Sequence, residues 1–510
     1  MDSSCSQQEN CNKEKNLGLC NQCGARVPSK FAFRHNQVWI EKDCPACGRT
    51  DSLVSTDAAA WQAKRDIWPD ASVTAEGCSL HCDRCARDHK PNMVFLDVTN
   101  RCNMNCPICI ATIKYMGFDF YPPLSYFDKI FQHLSKMDPI PMVELFGGEP
   151  TVRKDLLEII ALGRKYKLKP RVVTNGIKLA DEEYCRKLCE SGVRVRFAFD
   201  GRSPDIYAKL RDNPGAYEKK LKGLENLNRF SRRRQSIISC AAWGINDHLI
   251  GDLIAFCHEH RDLIGEIGII PLTENWKKNE FEVSVRTTLE DVEKMVRQSL
   301  PGEEVDFVPA GLSYSMRLPR SFFRRNTRSE ILLLGGVHPN CESMTLLISD
   351  GKKYRSISHY LKVPFQQACR EFADLSRRLE PQLAPLNPDK FAQRLRGQLI
   401  ILKKLTPWIF RRLKIGTLLA GSLVQYGKYL GRILLGKGSK RRPARILRVA
   451  GLPFEEEHSI DAGRLKNCKA VFAYEDAEDG QIKTIPACLW YPYRNGFLKK
   501  LSQKYQAPAD

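Results

Sequence analysis

The sequence predicts an α/β fold: a partial (βα)6 barrel that follows a small N-terminal metal-binding unit and precedes a C-terminal region of cysteines and basic helices. Three observations predict it. Short apolar runs recur with helical stretches between them, and each run ends in small or polar residues. Two cysteine triplets with CxxxCxxC spacing lie just before and just after the first of these runs. Two CxxC pairs open the chain. The expected organisation is a metal-binding domain over 17–60, a linker with further cysteines over 61–92, the barrel over 93–275 and a C-terminal region over 276–510.

Residues 93–109 read MVFLDVTNRCNMNCPIC, a buried strand running straight into Cys102, Cys106 and Cys109. Three thiolates at this spacing can hold three irons of a [4Fe-4S] cluster and leave the fourth iron without a protein ligand. The competing reading is a structural zinc or iron site. Met142 to Phe146 forms the next strand and leads into Gly147, Gly148, Glu149, Pro150 and Thr151. Glycines there let backbone approach a ligand closely, and a carboxylate can accept from an ammonium group. Arg171 to Val173 precedes Thr174, Asn175 and Gly176, and Arg194 to Phe199 precedes Asp200. Ile237 to Trp243 precedes Asn246, and Glu266 to Ile270 completes six strands. Barrels of this type place their chemistry at the C-terminal edge of the strands, which makes Thr174, Asn175, Asp200 and Asn246 candidate cofactor-binding residues. Taken singly, each is read as a turn residue.

At 510 residues the chain has room for two or three domains. It carries 20 cysteines, twelve of them before residue 110. The first 30 residues are polar and lack an apolar h-region, so metal ligation in a reducing cytoplasm is expected rather than a disulfide framework. A formal charge of +21 points to an anionic partner: nucleic acid, a membrane surface or an acidic substrate. No apolar run is long enough to span a bilayer.

Cys20 and Cys23, then Cys44 and Cys47, form two knuckles able to set four sulfurs around one metal ion. The segment between them, FAFRHNQVWIEKD, reads as a hairpin. Zinc and iron both accept four thiolates, so the spacing leaves the metal open. The site is either an electron relay or a staple for a domain too small to fold unaided. After a linker with Trp61 and Trp68 come Cys78, Cys82 and Cys85, assigned to an auxiliary iron-sulfur cluster, with His81 and His89 as candidates for zinc instead. Only the Cys102 triplet follows an apolar strand and precedes the Gly-Gly-Glu strand.

Beyond the barrel, an amphipathic helix is expected near Leu289 to Leu300, followed by the basic and aromatic stretch YSMRLPRSFFRRNTR. Cys341 stands ahead of a strand at Met344 to Ile348, Cys468 ahead of VFAY, and Cys488 after Lys483-Thr484-Ile485-Pro486. These three are candidates for a second auxiliary cluster, whereas Cys185, Cys189, Cys240 and Cys257 read as core residues. From Lys390 to Phe454 there are sixteen Lys or Arg and no Asp or Glu. Apolar residues interleave with them through Leu399 to Leu405, Trp408 to Leu413 and Leu418 to Leu434. Over 396–440 this describes one or two interfacial helices lying on an anionic bilayer. Nucleic-acid binding is one rival, and a solvated basic helix packed on the barrel is the other.

From Cys20 to Asp200 the chain resembles one branch of the radical S-adenosylmethionine (SAM) superfamily. The resemblance is carried by the rubredoxin-like CxxC pairs, GCSLHCDRC with a following His, DVTNRCNMNCPIC and the GGEPT strand. HPNC at 338–341, and Cys468 and Cys488 with GQIKTIPAC between them, also fit it. The segment GGVHPNC has no second cysteine just before His338, and the basic block has no counterpart in the family. The branch looks like the tetraether lipid synthase family, whose members join the ends of lipid hydrocarbon chains and whose relatives include methylases of a pterin ring.

The resemblance implies a SAM-binding [4Fe-4S] cluster on Cys102, Cys106 and Cys109, one or two auxiliary clusters, a mononuclear Fe or Zn, and an unidentified electron donor. It also implies Glu149 as partner of the SAM amino group and cleavage of SAM to a 5'-deoxyadenosyl radical. The expected function is therefore a radical SAM enzyme that abstracts hydrogen from unactivated carbon and modifies or couples lipid chains at the inner face of the membrane. The alternatives are a radical SAM methylase of a pterin or other soluble substrate, and a non-catalytic zinc- or iron-binding nucleic-acid protein.

Overall fold

The computed structural model of the chain describes residues 16–68, 78–82, 85, 89–274, 276, 280–312, 317–323, 337–417, 446–454 and 456–506. Its first sheet is antiparallel, in the order β1 (Asn16–Leu19), β2 (Arg26–Arg34), β3 (Gln37–Cys44), β4 (Gly48–Ser55). β2 and β3 form the expected hairpin, and their alternation puts Phe31, Val38 and Ile40 on one face, where they close over Trp61.

Trp61 lies in a helix, Ala58–Ile67, where the sequence reads as a linker. The helix starts because Asp57 Oδ1 accepts from the Ala60 N–H at 3.0 Å, satisfying an otherwise open donor. Its large apolar anchors are only Trp61 and Ile67, too sparse to give a helical period. The Arg65 guanidinium stacks 4.1 Å from the Trp61 ring and 5.3 Å from Phe31.

The second sheet holds the other twelve strands. Its centre is six neighbouring parallel strands: β5 (Met93–Thr99), β6 (Met142–Gly147), β7 (Pro170–Thr174), β8 (Arg194–Ala198), β9 (Gln235–Ala241) and β10 (Ile264–Pro271). Helices on one side bury Val94, Leu96, Val143, Leu145, Val172 and Ile267, for example against Phe127, Ile130 and Phe131 of helix Leu124–Ser135. The opposite face carries a layer of buried charge. Glu144 pairs with Arg171 and, at 3.2 Å, with Arg196, while Glu266 pairs with Arg448 and lies 3.6 Å from Arg196.

The C-terminal region is not a separate body, because it supplies both edges of this sheet. β11 (Val308–Pro309), β12 (Ser343–Ser349), β13 (Tyr354–Ser356) and β14 (Ile446–Gly451) extend the β10 side, with β14 parallel to β10. β15 (Ala470–Glu475) and β16 (Ile482–Pro486) extend the other side, with β15 parallel to β5. The expected helix after residue 288 is Leu289–Gln298, started by a capping box between Thr288 and Asp291. Buried Lys64 joins Glu290 at 2.6 Å and Glu293 at 2.8 Å, fastening the helix that follows the N-terminal sheet to the barrel.

Within the basic block, helix Phe391–Arg412 forms. Residues 418–445, and most of YSMRLPRSFFRRNTR, lie outside the described residues. Among the described residues no helix is long and apolar enough to cross a membrane.

Candidate metal and cofactor sites

The loop after β5 carries Cys102, Cys106 and Cys109 at the C-terminal edge of the parallel strands, and it rests on the segment after β6. The Gly148 N–H donates to Thr99 O at 2.7 Å, and the Glu149 N–H to Arg101 O at 2.9 Å. A Cβ on Gly147 would sit 2.3 Å from Thr99 O, and one on Gly148 2.2 Å from Arg101 O. The two glycines therefore make room for the cysteine loop's own backbone, where the sequence suggests the approach of a ligand. Asn100 closes the loop from the other side, donating to Phe118 O at 2.6 Å and accepting from the Phe120 N–H at 2.8 Å.

Glu149 is buried and heavily hydrogen-bonded by the protein itself. Its Oε1 accepts from the Thr151 N–H at 3.0 Å, and from the hydroxyls of Thr151 and Thr174 at 2.6 Å each. Its Oε2 accepts from the Asn175 N–H at 2.6 Å, which leaves that oxygen with acceptor capacity for one further donor. Pro150 opens the short helical turn Pro150–Val152 that carries Thr151 under the carboxylate. Asn175 also reaches into the cysteine loop, donating to Asn103 Oδ1 at 2.7 Å. Glu149, Thr174 and Asn175 thus form one constellation with the cysteine loop.

Asp200 and Asn246 behave differently. The Asp200 carboxylate takes Arg211 through two bonds of 2.9 Å, and its Oδ1 accepts the Cys240 N–H at 2.9 Å. Burial pushes this carboxyl up, but Arg211, Lys220 and the Cys240 N–H together outweigh burial and hold it below the ordinary range. Asn246 uses both ends of its amide on the turn after β9, accepting from the Ala242 N–H and donating to Cys240 O, each at 2.8 Å. In this geometry both residues shape the strand ends.

Several residues of the site carried no sequence signal. Buried Lys220, on helix Ala216–Phe230, donates at 2.6 Å to both Asn175 O and Ala198 O. Burial brings its ammonium down to about 8. Arg494 and Trp490, on helix Ala487–Gln506, bind Asp97 of β5, and Arg494 Nη1 donates to Ala111 O at 2.6 Å. A carboxylate in the middle of MVFLDVT is a signal in principle, because a buried charge requires a partner.

Burial pushes the Cys102 thiol up to about 12, with Glu149, Cys109 and Cys106 adding to it. The Cys106 thiol is raised by burial and by Cys109 and Asp200, against Arg211. Cys109 acts on both Cys102 and Cys106, and three thiols on one loop are a donor set that fits a cation, because ligation requires thiolates and releases their protons.

The N-terminal group fits a single ion. The sulfurs of Cys20, Cys23, Cys44 and Cys47 all lie within 4.8 Å of one another, and those of Cys23 and Cys44 are 3.7 Å apart. A tetrahedron with metal-sulfur bonds of about 2.3 Å has edges of about 3.8 Å. The backbone N–H groups of Cys23 and Gln22 draw the Cys20 thiol down to about 6.

Among the described residues only the four-cysteine group brings its sulfurs this close together, and the other two predicted groups are looser. Cys78, Cys82 and Cys85 line one small cavity with His81, His89 and Leu465, and of the two histidines only His89 is buried. Cys468 is raised well above the ordinary thiol range, first by burial and then by Cys488 and Cys341. Burial raises the Tyr491 hydroxyl, and Asp97, Cys109 and Cys488 add to it against Arg494. Cys185, Cys240 and Cys257 are buried, as core residues should be, while Cys189 is half-buried.

Comparison with known proteins agrees with this arrangement. Residues 96–257 match the family model of the radical SAM superfamily, and residues 14–56 that of the HMPTM N-terminal zinc ribbon domain. The chain is 32% identical over 311 residues to 7,8-dihydro-6-hydroxymethylpterin dimethyltransferase of Methanocaldococcus jannaschii, covering 58% of this chain and 61% of that one. It is 30% identical over 233 residues to Fe-coproporphyrin III synthase of Methanosarcina barkeri, covering 44% and 57%. To the probable GTP 3',8-cyclase of Methanocaldococcus jannaschii it is 25% identical over 228 residues, covering 44% and 75%. The chain thus spans about six tenths of the length of the first two relatives. A radical SAM domain implies a [4Fe-4S] cluster and SAM, and a four-cysteine ribbon implies a mononuclear metal. Residues 14–56 thus form a zinc ribbon domain and residues 96–257 a radical SAM domain.

Proposed function

We propose that this protein is a radical SAM enzyme that transfers a methyl-derived group to a soluble heterocyclic substrate of the pterin type. The observation that carries the radical SAM part is the docking of the Cys102 loop on Gly147 and Gly148, which brings Glu149 within electrostatic reach of the Cys102 thiol. The similarity to the pterin dimethyltransferase, over more than half of this chain, supports the substrate class. Cys102, Cys106 and Cys109 would hold the cluster, and Glu149 Oε2 would take the amino group of SAM. When bound and reduced, cluster and SAM supply a hydrogen-abstracting adenosyl radical. The chain's own residues do the rest. Thr151, Thr174 and Asn175 hold Glu149 in its acceptor orientation. Lys220 ties the ends of β7 and β8 together beneath it. The Cys78 and Cys341 groups would hold auxiliary clusters.

The test is anaerobic reconstitution with iron and sulfide, followed by reduction with SAM labelled in its methyl group and a 7,8-dihydropterin. Label in the pterin supports the reading. SAM cleavage with no label transferred to any ring substrate removes the methyl-transfer part and leaves the radical SAM part standing.

A second reading is modification or coupling of lipid chains at the membrane, as the tetraether synthase resemblance implies. One observation favours it: helix Phe391–Arg412 exposes a row of large apolar side chains among basic ones. Turnover of a phospholipid in vesicles, with none of a dihydropterin, would select it.

A further inference from the structure

Helix Phe391–Arg412 has two unlike apolar faces. One packs inward: Ile401 is buried with Phe322, Leu379 and Leu383, and half-buried Ile400 and Leu405 lie against them. Gly397 sits where a Cβ would meet the Phe322 ring at 2.2 Å, so Phe322 and the helix backbone are in direct contact. Gln398 Nε2 donates to Phe322 O at 2.8 Å. Trp408 Nε1 and Arg412 Nε both donate to Glu371 Oε2, at 3.1 and 2.7 Å, and the Lys362 N–H donates to Arg412 O at 2.8 Å. The helix is therefore held on its inner side from Gly397 to Arg412.

The outer face is apolar as well. Phe391 is 72% exposed, Leu395 47%, Leu399 60%, Leu402 46% and Phe410 62%. These are five of the nine large apolar side chains exposed among the described residues. At about 100° per residue they fall within an arc of about 100° on one side of the helix, a continuous stripe. Arg396 and Lys403 border that stripe, and Arg394, Lys404 and Arg411 complete a helix with no acidic residue from 391 to 412. Exposed apolar residues scattered singly need no explanation, but a stripe of this kind marks a surface that is covered in use.

We propose that this face docks on an anionic bilayer, with Phe391, Leu395, Leu399, Leu402 and Phe410 entering the acyl boundary and Arg396 and Lys403 meeting lipid phosphates. The charge pattern selects this occupant. A purely phosphate-tracking surface needs no leucine row, and a second copy of the chain would bring this same basic face against itself. The proposal concerns where the enzyme sits and holds whichever substrate it uses.

The test is co-sedimentation of the reconstituted full chain with phosphatidylglycerol–phosphatidylcholine vesicles, compared with phosphatidylcholine alone. Wild type should bind the anionic vesicles, bind less at high salt without being released completely, and bind neutral vesicles weakly. L395E/L399E should lower retention about tenfold or more, and R396E/K403E should remove the preference for anionic lipid. A milder L395S/L399S variant should also bind less. All three should keep the wild-type melting midpoint and rate of SAM cleavage in solution, which separates docking from folding and from the chemistry. Any of four results overturns the proposal: no binding at low salt, equal retention of L395E/L399E, binding to RNA or DNA without vesicles, or a wild-type dimer that L395E/L399E disperses with no vesicle association.

Discussion

Arg494 and Asp97 form a buried two-point ion pair across most of the chain, with Arg494 Nε 2.9 Å from Asp97 Oδ2 and Nη2 2.7 Å from Oδ1. The third guanidinium nitrogen donates to Ala111 O, two residues after Cys109. The C-terminal helix therefore holds both the strand that delivers the cysteine loop and the loop's exit. Arg494→Gln leaves a buried carboxylate partly unpaired and should cost about 3–5 kcal/mol. It should also lower iron retained at the Cys102 site, read by denaturant titration and by iron per chain after desalting.

Gly148→Ala places a methyl group against a backbone oxygen that cannot swing away. The Cys102 loop must lift off Glu149, so the variant should lose SAM-dependent cluster chemistry while the four-cysteine ribbon keeps its metal. Metal analysis of the variant against wild type should show selective loss of cluster iron. An unchanged cluster spectrum would refute the close-approach account.

Lys64 joins two parts of the fold through Glu290 and Glu293. Burial opposes its charge, but Glu290 and Glu293 outweigh burial and raise its ammonium above the ordinary value. Lys64→Met leaves two carboxylates buried together and should destabilise the protein by about 3–5 kcal/mol. Adding Glu290→Met and Glu293→Met should recover much of this in chemical denaturation, because the unpaired charges are then gone.

The charged layer inside the sheet has a pH signature. Burial would raise Glu266, but Arg448, Arg196 and Arg171 outweigh it and bring its pKa from 4.5 to about 2. Since the folded value lies below the unfolded one, the stabilisation is complete above about pH 4.5 and is lost as pH falls toward 2. Glu266→Gln should therefore flatten the acid limb of stability measured against pH in that window, and a limb identical to wild type would count against the layer.

Much of the site was legible because its chemistry is local in sequence. Cys102, Cys106 and Cys109 share one loop, and Glu149 follows its glycines directly, so the spacing together with the family resemblance it carries picks them out. The six parallel strands were readable because buried strands are near-continuous apolar runs. What escaped depended on distance along the chain. Nothing near Lys220 indicates that its ammonium holds the ends of β7 and β8, and nothing near Arg494 points to Asp97. Reading 276–510 as a region apart failed for the same reason: β14 and β15 find their partners in β10 and β5, and pairing between distant strands leaves no local pattern. The two bonds of the Asn246 amide to its own turn are likewise invisible in the sequence, because a strand-end amide and a turn amide are the same residue until their bonds are seen.

The central claim is that Cys102, Cys106 and Cys109 hold the cluster that cleaves SAM. The most direct measurement is formation of 5'-deoxyadenosine from SAM by anaerobically reconstituted, reduced protein, in wild type and in C102A/C106A/C109A. The account predicts cleavage by wild type and none by the triple variant, with the ribbon metal and iron at the other cysteine groups retained. Cleavage that survives in the triple variant would contradict it.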